Sequence, residues 1–389
     1  MHTSRGGIAP SDSKRLIPTV KISASTSRAM SQPDPSRRVD IQRLPAIPSL
    51  WKNLSLAPGN SYHSQYSSGL VSGSTPHAAV GKRHCGTTKS SFHQVVTMPN
   101  SLESSPGARL RAAWKSGPIP LPGVFSPLVA KLAERIGFQA VYLSGGALSA
   151  GNGVPDIGLL TLTEFAAAAQ LTVQATSLPL LCDADTGFGE ALNVERTIRM
   201  FEAAGVAGVH LEDQEMPKRC GHLSGKSLVS PEEMAAKIRA AVAARRDPDF
   251  VIVARTDARG VTNFDDAVAR ARLYLEAGAD AIFPEAMQSA EEFARFAKEV
   301  PCPLLANMTE FGKGPLLDVK TLGNMGYRMI LFPLTAFRAA MKAAEETLTN
   351  LFQHGTQTES LSKMQTRAEL YELLGYTGYE ARDRAYFGG

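Results

Sequence analysis

Cysteine is scarce. Four thiols occur in 389 residues, Cys85, Cys182, Cys220 and Cys302, at wide and unpatterned spacings. That excludes a disulfide framework and the paired-cysteine zinc signatures, and it predicts a reducing compartment. Histidine is sparse too, eight in all and never clustered, so a zinc or copper centre is not expected. No run of about 18 apolar residues exists, so neither a membrane-spanning helix nor a membrane partner is expected. Acidic residues are nearly missing from the first quarter of the chain. Residues 1–97 hold 12 Lys and Arg against three acids (Asp12, Asp34, Asp40), a net of +9.

The remainder, 98–389, carries 29 basic and 34 acidic residues, a net of −5, so the overall +4 hides a split at Met98. The leading segment is Ser-rich, Pro-interrupted and without sustained periodicity, a composition that cannot bury enough apolar surface to offset its ordering entropy. It reads as a disordered basic tail. Its origin has two readings: an organelle transit peptide, which would place the protein in the mitochondrial matrix, or an over-extended start with Met98 as initiator, which would place it in the cytoplasm. Aromatics are not interleaved with the basic residues as a stacking platform needs, so no nucleic-acid partner is expected.

From Ile119 onward, short apolar runs alternate with Ala-rich amphipathic stretches. Eight runs read as strands: 119–125, 140–144, 178–183, 208–212, 250–255, 281–285, 302–307 and 329–333. Seven intervening segments read as helices, several ending in Gly (Gly137, Gly205, Gly278, Gly326), the usual C-cap residue. Continuously apolar strands separated by helices predict a parallel sheet buried on both faces, and eight such units predict a (β/α)8 TIM barrel. A doubly wound sheet is the alternative. It is disfavoured because no G-x-G-x-x-G follows the first strand.

In a barrel the chemistry sits at the C-terminal strand ends. Those ends read Tyr142-Leu-Ser144-Gly145-Gly146, Asp183-Ala-Asp185, His210-Leu-Glu212-Asp213, Arg255-Thr-Asp257, Pro284-Glu285 and Asn307-Met-Thr309. Acids at successive strand ends need a cation. Asp183 and Asp185 suit a hard divalent ion such as Mg2+, with Asp156 and Glu212 reached through water. Ser144-Gly145-Gly146 is a weak signal that reads better as a plain turn. The loop Lys218-Arg219-Cys220-Gly221-His222 is stronger, because a thiol flanked by two cations and a histidine has its thiolate stabilised. That loop is expected to close over substrate.

These residues carry a resemblance. Asp-Ala-Asp, Glu212-Asp-Gln214, Lys-Arg-Cys-Gly-His, Ala254-Arg-Thr-Asp-Ala258 and Phe283-Pro-Glu-Ala286 resemble the isocitrate lyase/phosphoenolpyruvate mutase superfamily from about Arg111 to Phe387. The cysteine-bearing loop resembles its lyase branch. Within that branch the chain is similar to the enzymes that split 2-methylisocitrate into pyruvate and succinate in propionate catabolism. The resemblance implies Mg2+ (Mn2+ as a substitute) on Asp183 and Asp185 and no organic cofactor. It implies contacts to a small tricarboxylate substrate from Ser144, Gly145, Gly146, Cys220, Gly221, Arg255, Glu285, Asn307, Thr309, Arg338 and Arg367. Cys220 would be the proton donor. The base would be Tyr142 as its phenolate, with a metal-held water and Glu285 as alternatives.

The resemblance further implies a homotetramer that exchanges C-terminal helices, with 338–353 and the segment ending in Arg367 as the exchanged part. Isocitrate lyase activity, giving glyoxylate and succinate, is the alternative function, and a non-catalytic scaffold is a more distant one. The compact 292 residues of 98–389 favour the methylated substrate. So does Phe283, where isocitrate lyases carry a bulkier Trp.

Overall fold

Eight strands close on themselves: β1 (Ile119–Val124), β2 (Val141–Leu143), β3 (Leu180–Asp183), β4 (Gly208–Glu212), β5 (Val251–Thr256), β6 (Ala281–Pro284), β7 (Leu304–Asn307) and β8 (Tyr327–Phe332). Each pairs in parallel with the next, and β8 returns to β1 with Ile119 opposite Met329 and Leu121 opposite Leu331. That closing pair excludes the doubly wound alternative. The computed structural model describes residues 104–221 and 225–388. The chain divides into two units, and the second, His93–Gly389, contains all the described residues. The basic segment 1–97 lies outside them, as do Cys85 and His222.

Among the described residues the helices are α1 (Pro106–Lys115), α2 (Pro127–Ile136), α3 (Gly145–Gly151), α4 (Leu162–Ala175), α5 (Ala191–Ala203), α6 (Pro231–Ala244) and α7 (Ala258–Val261). There follow α8 (Phe264–Glu276), α9 (Ala290–Glu299), α10 (Val319–Met325), α11 (Thr335–His354), α12 (Arg367–Leu374) and α13 (Tyr376–Phe387). Local chemistry sets their ends. Ser126 and Ser230 cap α2 and α6 just ahead of a first-turn proline. Gly137, Gly205, Gly278 and Gly326 all adopt positive φ, as expected of glycines that stop helices.

Two layers of core result. Inside the barrel, Leu121, Tyr142, Leu181, Val253, Phe283 and Leu331 pack together. Outside it, the other faces of the strands meet the helices in a second, larger cluster. Helix α1 lies ahead of the first expected strand and was not anticipated from the sequence pattern. Its Leu110 and Trp114 join the barrel-interior cluster beside Ile119, so it plugs the bottom of the barrel. Arg111 fastens it, donating to the Asp249 carbonyl at 2.9 Å and pairing with Asp280 at 2.8 Å. The C-terminal helices α11, α12 and α13 bury no residue at all. Leu348, Phe352, Tyr386 and Phe387 stand exposed on them.

Candidate active site

Strand alternation decides which side chains converge at the top of the barrel. Residues two apart on a strand share a face. His210 and Glu212 are such a pair on β4; Asp183 ends β3 and Arg255 lies near the end of β5, with Asp185 and Asp257 just past those strands. With Tyr142 from β2 and Glu285 just past β6, they form a buried ionic floor. Above it lies an open cleft, which Tyr142, Ser144, Cys220, Arg255, Glu285 and Asn307 help to line.

On the β2–β4 side, the Tyr142 hydroxyl lies 2.7 Å from His210 Nε2 and 3.4 Å from Asp183 Oδ2. Asp183 also accepts from the Gly145 and Asp185 amides, at 3.1 and 3.0 Å. A Cβ on Gly145 would sit 2.7 Å from that carboxylate oxygen, so only glycine permits the contact. Ser144-Gly145-Gly146 is thus not a plain turn: Ser144 caps the short helix α3. Asp185 has φ 44, strained for a non-glycine residue, which turns its carboxylate toward Lys218 at 2.7 Å. The same ammonium pairs with Asp156. Lys218 therefore faces the carboxylates.

On the β5–β7 side, Arg255 Nε contacts Asp257 at 2.9 Å and Glu212 at 3.3 Å, and its Nη2 lies 3.8 Å from Glu285. Asn307 Nδ2 donates to Glu285 at 3.2 Å and its Oδ1 accepts from Thr309 at 2.7 Å. Phe283 turns its edge to His210, and the Arg255 guanidinium lies over its ring at 5.0 Å. The cysteine loop is held at its base by Gln214, whose side chain exchanges two 2.9 Å hydrogen bonds with the Arg219 backbone.

Burial under so many like charges shifts protons. Burial first, with Asp183 and Asp156 adding to it, pushes Asp185 up to about 7 against the pull of Lys218. Burial likewise raises Glu212, against the pull of Arg255 and Lys218. Asp183 is buried too, but His210, Lys218 and Arg255 hold it below its usual range. Burial lowers His210 to about 4, so the ring is neutral at pH 7. Burial, reinforced by Asp183, raises Tyr142 well above the usual phenol range. The groups around Tyr142 thus favour the phenol over the phenolate that the sequence reading assigned to it.

Most of the expected site is assembled. Tyr142, Ser144, Gly146, Asp156, Asp183, Glu212, Cys220, Gly221, Arg255, Glu285, Asn307 and Thr309 all line the cavity. Gly145 and Asp185 lie just beneath it. Arg338 and Arg367 do not line it. Arg338, on α11, is half exposed and near Glu310 at 3.7 Å, and Arg367 is exposed at the start of α12. His210 and Gln214 stood in the quoted motifs without a role. His210 was findable, being two residues from Glu212 on the same strand. Gln214 was not, since its partner is loop backbone.

A parallel eight-stranded barrel with an acid-rich, thiol-bearing mouth defines a class of enzyme rather than one reaction. The phosphoenolpyruvate phosphomutase family model matches residues 110–352, and the chain belongs to that family. It is 56% identical to the 2-methylisocitrate lyase of Aeropyrum pernix over 262 residues, covering 67% of this chain and 84% of that one. It is 47% identical to the 2-methylisocitrate lyase of Bacillus subtilis strain 168, covering 75% and 96%. A solved phosphonopyruvate hydrolase complex with oxalate and Mg2+ superposes with a TM-score of 0.67 at 33% identity, covering 73% of this chain and all of the other.

Proposed function

We propose that the chain is a magnesium-dependent carbon–carbon lyase that cleaves 2-methylisocitrate into pyruvate and succinate. The observation that carries this is the thiol of the Lys218–Gly221 loop lining one cavity with the Asp183 carboxylate and the Arg255–Glu285 pair. Near-full-length relatives of that name, about half identical to this chain, support it. Isocitrate remains the competing substrate, because a one-methyl difference discriminates by only about 10–200-fold. Phe283, fully buried beside the cavity, favours the methylated substrate over a larger indole at that place.

The donor set fits a hard cation. Glu212 Oε1 is buried without a hydrogen-bond partner among the described residues, and a proton would sit on Asp185 near neutrality unless a cation displaced it. Among the described residues no three potential ligands converge tightly enough to enclose an ion by themselves. This suits magnesium, which keeps several waters. Asp183 and Asp185 would hold it, with Asp156 and Glu212 acting through water. Bound there, magnesium stabilises negative charge developing on oxygen.

The residues divide the remaining work. Glu285 removes the C2 hydroxyl proton, because the surroundings of Tyr142 favour the phenol, which pairs with His210 and cannot take a proton. The C2–C3 bond then breaks, leaving the pyruvate ketone and an electron pair on the succinate-side carbon. Arg255, Asn307 and Thr309 hold carboxylates and the charge that spreads onto them. Cys220 returns a proton to the carbon as a general acid.

Arg338 and Arg367 reach substrate in this reading through assembly. The exposed apolar side chains of α11–α13, Leu348, Phe352, Tyr386 and Phe387 among them, pack in a homotetramer, and a neighbour supplies Arg367. Mixing the inactive variants Cys220→Ser and Arg367→Ala within one tetramer should restore partial activity. The segment 1–97 is a dispensable extension of the 98–389 catalytic unit. The direct test of function is product identification by NMR. Purified full chain with Mg2+ should convert 2-methylisocitrate to pyruvate and succinate in equal amounts, and failure to form both would overturn the assignment.

A further inference from the structure

A buried lysine outside the expected site ties the cysteine loop to the arginine of the floor. The Lys226 side chain is only 2% exposed, and lysine is almost never so buried unless paired. Its ammonium donates to the carbonyl of Gly221, the residue after Cys220, and to Oδ1 of Asp257. Asp257 meanwhile accepts from Arg255 Nε at 2.9 Å and Nη2 at 3.2 Å. It is braced from below, its amide donating to Asp213 at 2.9 Å. Asp213 in turn accepts from Thr256 at 2.8 Å, Tyr274 at 2.9 Å and Arg270 at 3.3 Å. One carboxylate fixed in the barrel wall therefore anchors both the Cys220–Gly221 backbone and the Arg255 guanidinium.

We propose that Lys226 is a positioning residue that sets the Cys220 thiol relative to Arg255 by tying the Gly221 carbonyl to Asp257. The thiol's role rests on the lyase reading above. The tether itself rests on the contacts just given. A buried ion pair could instead serve folding alone, and Gly260 separates the two roles. A Cβ on Gly260 would lie 3.3 Å from Lys226 Nζ and 3.6 Å from the Ala286 methyl, pressing on the ammonium without removing any charge. Gly260 lies in α7, where alanine favours the helix more than glycine does. Gly260→Ala therefore displaces the tether by a few tenths of an ångström, while the helix preference of alanine offsets the cost to stability.

The test uses the full chain, with Lys226→Met and Gly260→Ala compared with the parent. The readouts are melting temperature, kcat and KM on 2-methylisocitrate with Mg2+, and the rate of iodoacetamide labelling at Cys220, located by peptide mass spectrometry. Lys226→Met should lower kcat about 100-fold, the usual effect of a 1 Å misplacement of a reacting group. KM should change little, and Cys220 labelling should accelerate while Cys302 labelling does not. Gly260→Ala should move kcat and labelling the same way, less far, at a near-parental melting temperature. If Lys226→Met does not fold, Gly260→Ala decides alone. Parental kcat and labelling in Gly260→Ala, or a Lys226→Met loss that only tracks the folded fraction, would overturn the proposal. Should the parent cleave no 2-methylisocitrate, the lyase reading fails, while labelling still tests the tether.

Discussion

Gly221 is the tightest joint between the cysteine loop and the floor, and replacing it with alanine puts a number on that joint. A Cβ there would meet Arg255 Nη2 at 2.4 Å, Glu285 Oε1 at 2.6 Å and Glu285 Cδ at 2.7 Å. Ordinary van der Waals contact starts at about 3.4 Å, so either the loop or the Arg255–Glu285 pair must retreat by about 1 Å. Displacement of that size in a reacting group costs about 100-fold in rate, or ~2.7 kcal/mol of barrier. Gly221 is not in the left-handed region, so alanine takes its backbone without strain. The fold should therefore survive with the about 1–3 kcal/mol loss that overpacking costs, while kcat/KM falls about 100-fold. Steady-state kinetics beside a thermal melt reads both. Parental kcat/KM in a folded Gly221→Ala protein would mean that the loop does not sit on Arg255 and Glu285 during turnover.

Cys220→Ser keeps the size but swaps a thiol for a far weaker acid, so kcat should fall about 10²–10⁴-fold with KM little changed. Mass spectrometry of enzyme trapped with substrate should show no adduct on Cys220, whereas a covalent nucleophile would leave one. EDTA should abolish turnover, and added Mg2+ or Mn2+ should restore it; full activity in the chelated protein would remove the role given to Asp183 and Asp185. Deleting 1–97 should leave kcat and melting temperature unchanged, and a large drop in either would show that the segment supports the catalytic unit. Trp114→Ala should destabilise the chain by about 3–5 kcal/mol, as losses of large buried aromatics do, because it unplugs the barrel floor. Unchanged denaturant midpoints would contradict that.

The barrel was legible because its signals are local. Apolar runs such as Gly208–Glu212 stay buried at every position, and Gly137 or Gly326 ends a helix by its own conformational freedom. The Asp183–Asp185 pair was legible from its place at a strand end, but the left-handed φ that turns Asp185 to Lys218 was not. What stayed hidden depends on distant partners. Trp114 shares the barrel-interior cluster with residues as far off in sequence as Val251 and Leu331. Lys218 was read only as a neighbour of Cys220, and its pairing with Asp156, 62 positions back, gave no sign of itself. Lys226 gave no sign of itself, since its partners are a backbone carbonyl and Asp257, 31 residues on. The phenolate assigned to Tyr142 failed to allow for burial, which no spacing reveals.

The central claim is the choice of substrate, and a competition assay tests it most directly. The purified full chain with Mg2+ is given equal concentrations of 2-methylisocitrate and isocitrate, and pyruvate and glyoxylate are followed together. With Phe283 beside the cavity, pyruvate should form faster, by a ratio within the roughly 10–200-fold range that one methyl commands. Glyoxylate forming faster than pyruvate would make the protein an isocitrate lyase and contradict the account.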